Sequence, residues 1–350
     1  MKTGCVFNPF CLSSFLTFRY VVNPSAEWVP GVRPPCPTVE PERRAEIHDS
    51  GQLLDALCGL VDPLARDHRV GILLSGGIDS AILAALLPRG TPAYTVRFEA
   101  EGAVDESRAA AVYARRCRLL HHIVTVSWED YQQHMDGLMR RKCAPLHPVE
   151  TGLYLAARAA ANDGVNFLMV GNGADSTFGG LDRLLSKDWT LQEFIKRYTF
   201  VDPSTVLRDP VSMHASFAGY ERAGGFDTVA FLKEVHGRGI IQAFDNAIHA
   251  AGCNSIAPYE SLALGAPLDL ERVRRGEPKY LLREVFTQLY PGLSVADKVA
   301  FARPMDGWMN AWTGPHREEF KPDLDLRRFS GEQKWLLYCL ERFLDLMEDT

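Results

Sequence analysis

The amino-acid sequence predicts an α/β fold, in which a parallel sheet with flanking helices is followed by a helical C-terminal lobe. Short continuous apolar runs at Val70–Leu74 and Val165–Val170 are typical of strands that are buried on both faces. Segments with helical spacing lie between the predicted strands, and this alternation predicts parallel strands joined by right-handed crossovers. Strand signals fade after about residue 185, so the rest of the chain is predicted to be mostly helical.

The N-terminal segment is predicted to lie outside the α/β unit. Phe15–Val22 is rich in β-branched and aromatic residues and is predicted to form a strand. Asn23–Glu42 contains six prolines, which exclude a helix and predict an extended linker. We therefore divide the chain into residues 1–44 and residues 45–350, with residues 186–350 forming the helical lobe.

A sheet of about five strands is expected, and four of them can be located in the sequence. These strands are Val70–Leu74, Ala93–Phe98, His122–Val126 and Val165–Val170. Helices are predicted after Ser80 and at Asp105–Cys117, Trp128–Arg140, Thr151–Ala161, Ala243–Ala251, Lys279–Leu289 and Gln333–Leu346.

Composition and charge exclude several classes of protein. The 350-residue chain carries 44 acidic and 38 basic side chains, a net charge of −6, so it has no global basic field for a long nucleic acid. No run reaches the ~18–20 apolar residues that a membrane span needs, and the N-terminal stretch is interpreted as part of the fold. The eight cysteines form no C-x-x-C pair. A cytoplasmic protein without a zinc site or a disulfide framework is therefore expected.

The strongest chemical signal is the hexapeptide Ser75-Gly76-Gly77-Ile78-Asp79-Ser80 between a predicted strand and a predicted helix. Glycines let the backbone approach a phosphate closely, and the free N–H groups of a helix start point toward it. Hydroxyl groups at Ser75 and Ser80 add further donors. The segment is neither a Walker A motif nor a dinucleotide-binding fingerprint. It predicts a phosphate site of another type.

A second glycine-rich segment, Gly171–Gly180, also follows a predicted buried strand. In a parallel sheet both segments lie at the carboxyl ends of strands, where such sheets bind ligands. Asp79 and Asp175 are then expected to face one polyphosphate. Two carboxylates beside phosphates need a cation, so Mg²⁺ bound by both aspartates is predicted.

The two segments together resemble known enzymes. Ser-Gly-Gly-x-Asp-Ser after a strand is similar to the PP-loop of the N-type ATP pyrophosphatases, which cleave ATP between the α and β phosphates. With GNGADSTFGG, it resembles the synthetase domain of the asparagine synthetase family, which includes the β-lactam synthetases. The likeness covers roughly residues 50–310. FLTFRYVVNP and VPGVRPPCP look like the end of that family's glutaminase domain and its linker.

The resemblance implies a role for each matching residue. ATP and Mg²⁺ are the implied cofactors, Asp79 and Asp175 the implied metal ligands, and Lys298 the implied catalytic cation beside the phosphates. Asn172 lies where the family places a residue that assists the nucleophile. Lys279 is interpreted as a helix-start or surface residue. Residues implied to bind ATP or pyrophosphate are Leu74, Ser75, Gly76, Gly77, Asp79, Ser80, Val96 and Gly171.

Three departures from the family pattern qualify this comparison. Cys5 is preceded by four residues, and the segment before the linker is too short for a glutaminase domain, so glutamine is not expected to be the nitrogen source. An amide at Asn172 has no pKa suited to a general base, although it can donate a hydrogen bond. Ser176 stands where the family has a second acidic residue.

The predicted function is an ATP-dependent, AMP-forming ligase that adenylates a small-molecule carboxylate and passes the acyl group to ammonia or an amine. Tyr259 and Glu260 are the candidate substrate-facing residues. Two alternatives stay open: a sulfur transferase that uses Cys143 with a sulfur-donor protein, and a non-catalytic nucleotide-binding subunit. A membrane partner is not expected, and a homodimer is left open.

Overall fold

The computed structural model describes residues 6–34, 44–295 and 303–348. Its central sheet contains five parallel strands: β1 (Val70–Leu73), β2 (Pro92–Phe98), β3 (Leu120–Val126), β4 (Phe167–Met169) and β5 (Asn254–Ile256). The strand order is β3-β2-β1-β4-β5. The predicted α/β class with a parallel sheet is therefore confirmed. Strand order reverses between β1 and β4, and this switch point is where such sheets form a ligand crevice.

Helices cover both faces of this sheet. The longer ones are α1 (Pro9–Phe18), α2 (Ser50–Asp67), α3 (Ile78–Leu86), α4 (Ser107–Cys117), α5 (Trp128–Lys142), α6 (Glu150–Asn162), α7 (Gly237–Ala250), α8 (Tyr280–Leu289) and α9 (Gly331–Glu348). Apolar residues of α2, α3, α4 and α8 form one core with Ile72 and Ala93 of the sheet. Residues of α1, α5, α6, α7 and α9 form the other core with Tyr94, Val96 and Phe98.

Short elements fill the remainder of the described chain. The short helices are Ala174–Thr177, Asp182–Leu185, Leu191–Tyr198, Pro203–Val206, His214–Ala218, Thr228–Phe231, Leu270–Arg274 and Met305–Trp308. A π-helical turn spans Leu232–His236, and 3₁₀ turns span Pro258–Ser261 and Leu326–Arg328. Ala45–Ile47 pairs in parallel with Leu262–Leu264, and Glu221–Arg222 pairs with Gly225–Phe226 in antiparallel orientation.

The fifth strand lies in the lobe that was predicted to be mostly helical. Asn254–Ile256 pairs with β4 along its whole length. The segment Asn-Ser-Ile is short and polar, so it gives neither alternation nor an apolar run. It becomes a strand because the edge of β4 offers unpaired backbone groups that the chain can satisfy after α7.

The predicted N-terminal strand is wrong, because its first half, Phe15–Phe18, is helical and its second half is not a strand. Asn8 caps α1 by accepting a hydrogen bond from the Phe10 N–H at 3.0 Å, and Pro9 occupies the first turn. The helix ends where Arg19 takes a left-handed conformation with φ of 67°. Burial of this helix outweighs the strand propensity of its aromatic residues.

Two observations tie the N-terminal segment to the rest of the molecule. The Trp28 ring packs edge-on against Phe343 of α9, with a centroid separation of 4.9 Å. Tyr20 Oη donates a hydrogen bond to the Val235 carbonyl at 2.7 Å. The domain boundaries themselves stay predictions, but α1 shares its core with α5 and α9.

Two further findings concern membrane-spanning helices and the cysteine thiols. Within the described ranges, no helix is both long and apolar enough to cross a bilayer. The cysteines that the structure describes are free thiols, and three of them, Cys11, Cys253 and Cys339, are buried.

We predict that truncating Phe15 destabilises the whole protein. Its side chain is fully buried in the core that α1 shares with α9. Phe15→Ala should lower the free energy of unfolding by ~3–5 kcal/mol, measured by urea denaturation. Val6 is 88% exposed, so Val6→Ala is the control and should change stability by less than ~0.5 kcal/mol. Equal stabilities for the two variants would show that α1 is a peripheral attachment.

Candidate active site

The two glycine-rich segments meet at the switch point of the sheet. β1 and β4 are neighbours, with Ile72 opposite Met169, so the loops that follow them emerge side by side. They line a cavity of about 390 Å³. The wall of this cavity includes nine of the predicted residues: Leu74, Ser75, Gly77, Asp79, Ser80, Val96, Gly171, Asn172 and Asp175. The structure therefore brings most of the predicted site together.

The serine-glycine loop after β1 is held in shape by its own side chains. Ser80 Oγ accepts a hydrogen bond from the Ser75 N–H at 3.0 Å, and the two serine hydroxyl oxygens are 3.0 Å apart. The Gly77 N–H donates to Ser75 Oγ at 3.1 Å. These contacts fix the first turn of α3 against the end of β1. The loop is thus preformed, with the backbone close to the cavity.

Gly76 lies behind the loop and packs against α4, outside the cavity wall. Its N–H donates to Glu106 Oε2 at 3.3 Å, and a Cβ at this position would lie 3.1 Å from Ala109 Cβ. Glu106 itself lines the cavity. Glu106 falls within the predicted helix Asp105–Cys117, and no local signal in the sequence indicated its contact with the loop.

Asp79 and Asp175 converge on one lysine. Lys279 Nζ lies 2.5 Å from Asp79 Oδ2 and 2.8 Å from Asp175 Oδ1. The lysine side chain is only 7% exposed, and all three residues line the cavity. Two carboxylates that are 96 positions apart in the chain therefore share a single ammonium group.

Lys279 had been interpreted as a helix-start or surface residue, and only the first half of that interpretation is correct. The residue precedes α8 with a left-handed φ of 56°, and it lines the cavity. Burial alone would lower the pKa of Lys279, but the Asp79 and Asp175 carboxylates outweigh burial and raise it. The ammonium group is therefore charged at neutral pH.

Gly180 makes this arrangement sterically feasible. A Cβ built at this position would overlap both Asp175 Oδ1 and Lys279 Cε. The backbone here must come so close to the ion pair that no side chain fits. Gly180 ends the glycine-rich segment Gly171–Gly180, and nothing in the sequence indicated this role.

The aspartates also fit the predicted magnesium. Mg²⁺ prefers oxygen ligands and is commonly held by one or two carboxylates together with substrate phosphates. Asp79 and Asp175 supply such carboxylates in a cavity lined by a phosphate-type loop. Across the described ranges, no group of three or more histidine, cysteine, aspartate or glutamate residues is arranged to hold a metal alone. Asp79 and Asp175 would supply two of the oxygen ligands of such an ion.

Tyr259 was predicted to face the substrate, but the structure buries it completely behind the serine-glycine loop. Its Oη donates a hydrogen bond to the Asp79 carbonyl at 3.0 Å. Burial raises the pKa of this phenol well above its usual value, so it remains protonated. Tyr259 therefore positions the start of α3 and does not contact the cavity.

Glu260 was the second predicted substrate-facing residue, and it also lies outside the cavity wall. Gly173, with φ of 88°, packs so closely on it that a Cβ there would lie 2.9 Å from Glu260 Cγ. Burial and, to a smaller extent, Asp245 raise the pKa of Glu260 to about 7, while Arg44 opposes them. Glu260 supports the turn that carries Asn172.

Two predicted catalytic residues are not brought into the described site. Cys143 ends α5 in a left-handed conformation with φ of 50° and is not part of the cavity wall. Lys298 lies outside the described residues, as does Cys5. Val295, the last residue before that gap, lines the cavity.

The chain is similar to known proteins over the region that carries the site. The family model described as Asparagine synthase matches residues 55–235, which is more than half of the chain. A Mycobacterium tuberculosis protein that carries the name of a glutamine-hydrolysing asparagine synthetase is 34% identical over 121 residues, covering 33% of this chain and 18% of that protein. The protein named Amidase chry2 of Gibberella zeae is 28% identical over 137 residues, covering 34% of this chain and 20% of that protein.

A solved structure gives a weaker likeness. The NH3-dependent NAD synthetase from Campylobacter jejuni is 18% identical, with a TM-score of 0.27 over 37% of this chain and 60% of that chain. The chain thus spans about a fifth of the length of the curated relatives it matches. The matched residues 55–235 include both glycine-rich segments, Asp79 and Asp175. This chain belongs to the asparagine synthase family.

Proposed function

We propose that this protein is an ATP-dependent, AMP-forming ligase that activates a carboxylate and forms an amide with ammonia or an amine. The observation that carries the proposal is the convergence of Asp79, Asp175 and Lys279 at the carboxyl ends of two neighbouring parallel strands. Their loops line a cavity of about 390 Å³ beside a preformed serine-glycine turn. Family membership supports the use of ATP.

The cavity has an apolar side and a polar side, which match the base and the phosphates of a nucleotide, respectively. Leu73, Leu74 and Val96 give an apolar side at the ends of β1 and β2. Ser75, Ser80 and the start of α3 give a polar side rich in donors. We propose that the base lies along the apolar side and the phosphates along the serine-glycine loop.

Charge balance gives the aspartates and Lys279 distinct parts in the first half-reaction. A substrate carboxylate oxygen attacks the α-phosphorus, and the bond to the bridging oxygen breaks, releasing pyrophosphate with its added negative charge. We assign Lys279 the role of neutralising charge on these oxygens. Asp79 and Asp175 would hold Mg²⁺, which supplies Lewis-acid stabilisation of the phosphates when bound.

The second half-reaction needs an amine that attacks the acyl carbon, loses a proton and expels AMP. Asn172 lines the cavity, but its amide cannot take up this proton. The pKa of Glu260, about 7, is suited to a general base, yet Glu260 is not among the residues that line the cavity. We therefore assign Glu260 a supporting role.

The observed geometry does not favour the sulfur-transferase alternative. That reaction needs a thiol near the activated carbonyl, and none of the described residues in the cavity wall is a cysteine. The non-catalytic alternative predicts that nucleotide binds without any pyrophosphate release, which is one outcome of the following experiment.

We predict that the three charged residues are each required for carboxylate-dependent exchange of pyrophosphate into ATP. Asp79→Asn and Asp175→Asn should eliminate exchange across a panel of carboxylic acids, and Lys279→Met should slow it on the order of 10²–10³-fold. Lys187→Met is the matched control, because Lys187 is 48% exposed and pairs with Glu193 at the surface. Wild-type rates in both aspartate variants would refute the assignment. Nucleotide binding without exchange for any acid would identify a non-catalytic subunit.

A single methyl group at Gly180 should separate the lysine from the aspartate. Gly180→Ala is expected to reduce exchange to the level of Lys279→Met, because the added Cβ occupies the space of the ion pair. Gly59→Ala is the control: Gly59 is in the middle of α2, and apart from its chain neighbours and the backbone of the helix itself, no atom lies within 4 Å of a Cβ built there. It should leave exchange unchanged and slightly stabilise the helix. Wild-type exchange in Gly180→Ala would show that the ion pair is dispensable.

The stability of the protein should depend on the protonation of Glu260. Its folded pKa of about 7 lies above the usual value of 4.5, so ionisation costs stability as pH rises from about 4.5 through 7. Glu260→Gln should therefore raise the melting temperature at pH 8 and have little effect near pH 4.5. Exchange should persist in this variant if the role is only supporting.

The exposed residue Glu46 provides the control for this measurement. Glu46→Gln should leave the melting temperature unchanged at both pH values. If Glu260→Gln lowered the melting temperature at pH 8, the charged carboxylate would be stabilised by a partner in the folded protein. A stabilised charged form would contradict the raised pKa of Glu260.

A further inference from the structure

The strand β3 forms one edge of the central sheet. It is the last strand in the order β3-β2-β1-β4-β5, and its seven residues pair with β2 in one continuous register without a bulge. The strand at the opposite edge, β5, has only three residues. A long, regular edge strand is a template for a further strand, whereas a very short one is not. β3 is therefore the edge at which this sheet can be extended.

Every second residue of β3 directs its backbone groups away from the sheet. The Leu120 N–H donates to the Thr91 carbonyl at 3.0 Å, and the Val126 carbonyl accepts from the Glu99 N–H at 2.8 Å, so the even-numbered residues bond to β2. The residues between them, whose N–H and carbonyl groups face outward, are His121, Ile123 and Thr125. No backbone hydrogen bond from elsewhere in the described chain reaches these three residues.

This edge lacks the features that usually prevent further pairing. Charged side chains, proline, a bulge or a covering element commonly protect an edge strand. The sequence of β3, LHHIVTV, contains no proline, lysine, arginine, aspartate or glutamate. Leu120 is 56% exposed and Ile123 is 44% exposed, and no other strand that the structure describes carries an exposed large apolar residue. Apolar side chains beside outward-facing backbone groups indicate a surface that a partner covers.

The residues of β3 are compatible with those of a second β3 that runs in the opposite direction. The match arises when Ile123 of each copy lies opposite Ile123 of the other. Leu120 of one copy then faces Val126 of the other, so that apolar residues meet. His121 faces Thr125, and no charged side chain of either strand meets a like charge. The outward-facing residues form three pairs with two hydrogen bonds each, or about six bonds in total.

We propose that two copies of this chain associate through β3, in antiparallel orientation about a twofold axis at Ile123. A twofold interface uses the same surface of both subunits, as this pairing does. The two central sheets then form one continuous sheet. The partner is a second copy of this chain, because one register pairs each residue of β3 with a compatible residue of the same segment.

The proposed interface leaves both nucleotide cavities open. No residue of β3 is part of the cavity wall, and the loops that form the site follow β1 and β4. Because the two copies of β3 run in opposite directions, the two cavities lie at opposite ends of the strands in the extended sheet. The dimer therefore does not depend on the proposed ligase function, and either proposal can fail without the other.

The first test places a charge at the twofold axis. Ile123→Lys would bring two ammonium groups next to each other in the dimer, while the inward hydrogen bonds of β3 remain. Analytical ultracentrifugation should show a dimer for the wild-type protein and a monomer for this variant. Val211→Lys is the matched control, because Val211 is also an exposed valine-type apolar residue but lies outside the sheet, and it should stay dimeric.

The second test measures the register. Opposite residues of a hydrogen-bonded antiparallel pair have Cα atoms about 5.5 Å apart, which is within the range of roughly 4.4–6.8 Å that a disulfide spans. Ile123→Cys should therefore give a covalent dimer when its thiols are oxidised with diamide, detected on a non-reducing gel. The wild-type protein, with eight cysteines of its own, and Val211→Cys give the background and should remain uncrosslinked.

Folding and activity are checked on the same variants. Far-UV circular dichroism of Ile123→Lys should match that of the wild-type protein, because the side chain at this position is exposed. Its rate of pyrophosphate exchange should also be unchanged, since β3 is outside the cavity wall. If Ile123→Lys did not fold, the crosslinking of Ile123→Cys would still decide between the two outcomes.

Three results would overturn the proposal. A wild-type protein that stays monomeric up to about 100 μM would show that β3 does not bind a second copy. A dimer that persists in folded Ile123→Lys would place the interface elsewhere. Absence of crosslinking in Ile123→Cys beyond the background would reject the register from which self-association is argued.

Discussion

The site depends on the sharing of one buried ammonium group by two carboxylates from separate loops. Asp79 and Asp175 alone would repel each other in a partly buried cavity, and Lys279 offsets that repulsion at 2.5 and 2.8 Å. The pairing joins the end of β1, the end of β4 and the start of α8 at one point. It therefore orders three segments that are distant in sequence, and the absence of a side chain at Gly180 is what permits it.

The loops around this pair are held by contacts that do not involve a ligand. Serine hydroxyl groups fix the turn after β1, Tyr259 holds the Asp79 carbonyl, and Glu260 supports the turn at Gly173. Such preorganisation lowers the cost of ordering donors when a nucleotide binds. The residues on which the geometry depends are thus partly hidden behind the cavity, where they cannot touch a reactant.

The sequence was sufficient to predict the α/β class and the two loops that meet at the cavity, because a buried strand followed by a glycine-rich turn is a local signal. Asp79 and Asp175 could be paired since the carboxyl ends of parallel strands share one edge. Lys279 could not be placed, because its burial depends on α8 packing over α2 and α3. The strand at Asn254–Ile256 and the helix at Pro9–Phe18 were missed for a related reason: tertiary contacts decide both.

The packing of α1 against α9 also limits how the polypeptide can be divided. Trp28 and Phe343 seal one core from opposite ends of the chain, while the segment matched by the family model stops at residue 235, before β5, α8 and Lys279. Excision of that matched segment would uncover the apolar undersides of the sheet and leave Asp79 and Asp175 without their shared counter-ion. The segment that matches the family model is therefore shorter than the smallest part of this polypeptide that can fold by itself.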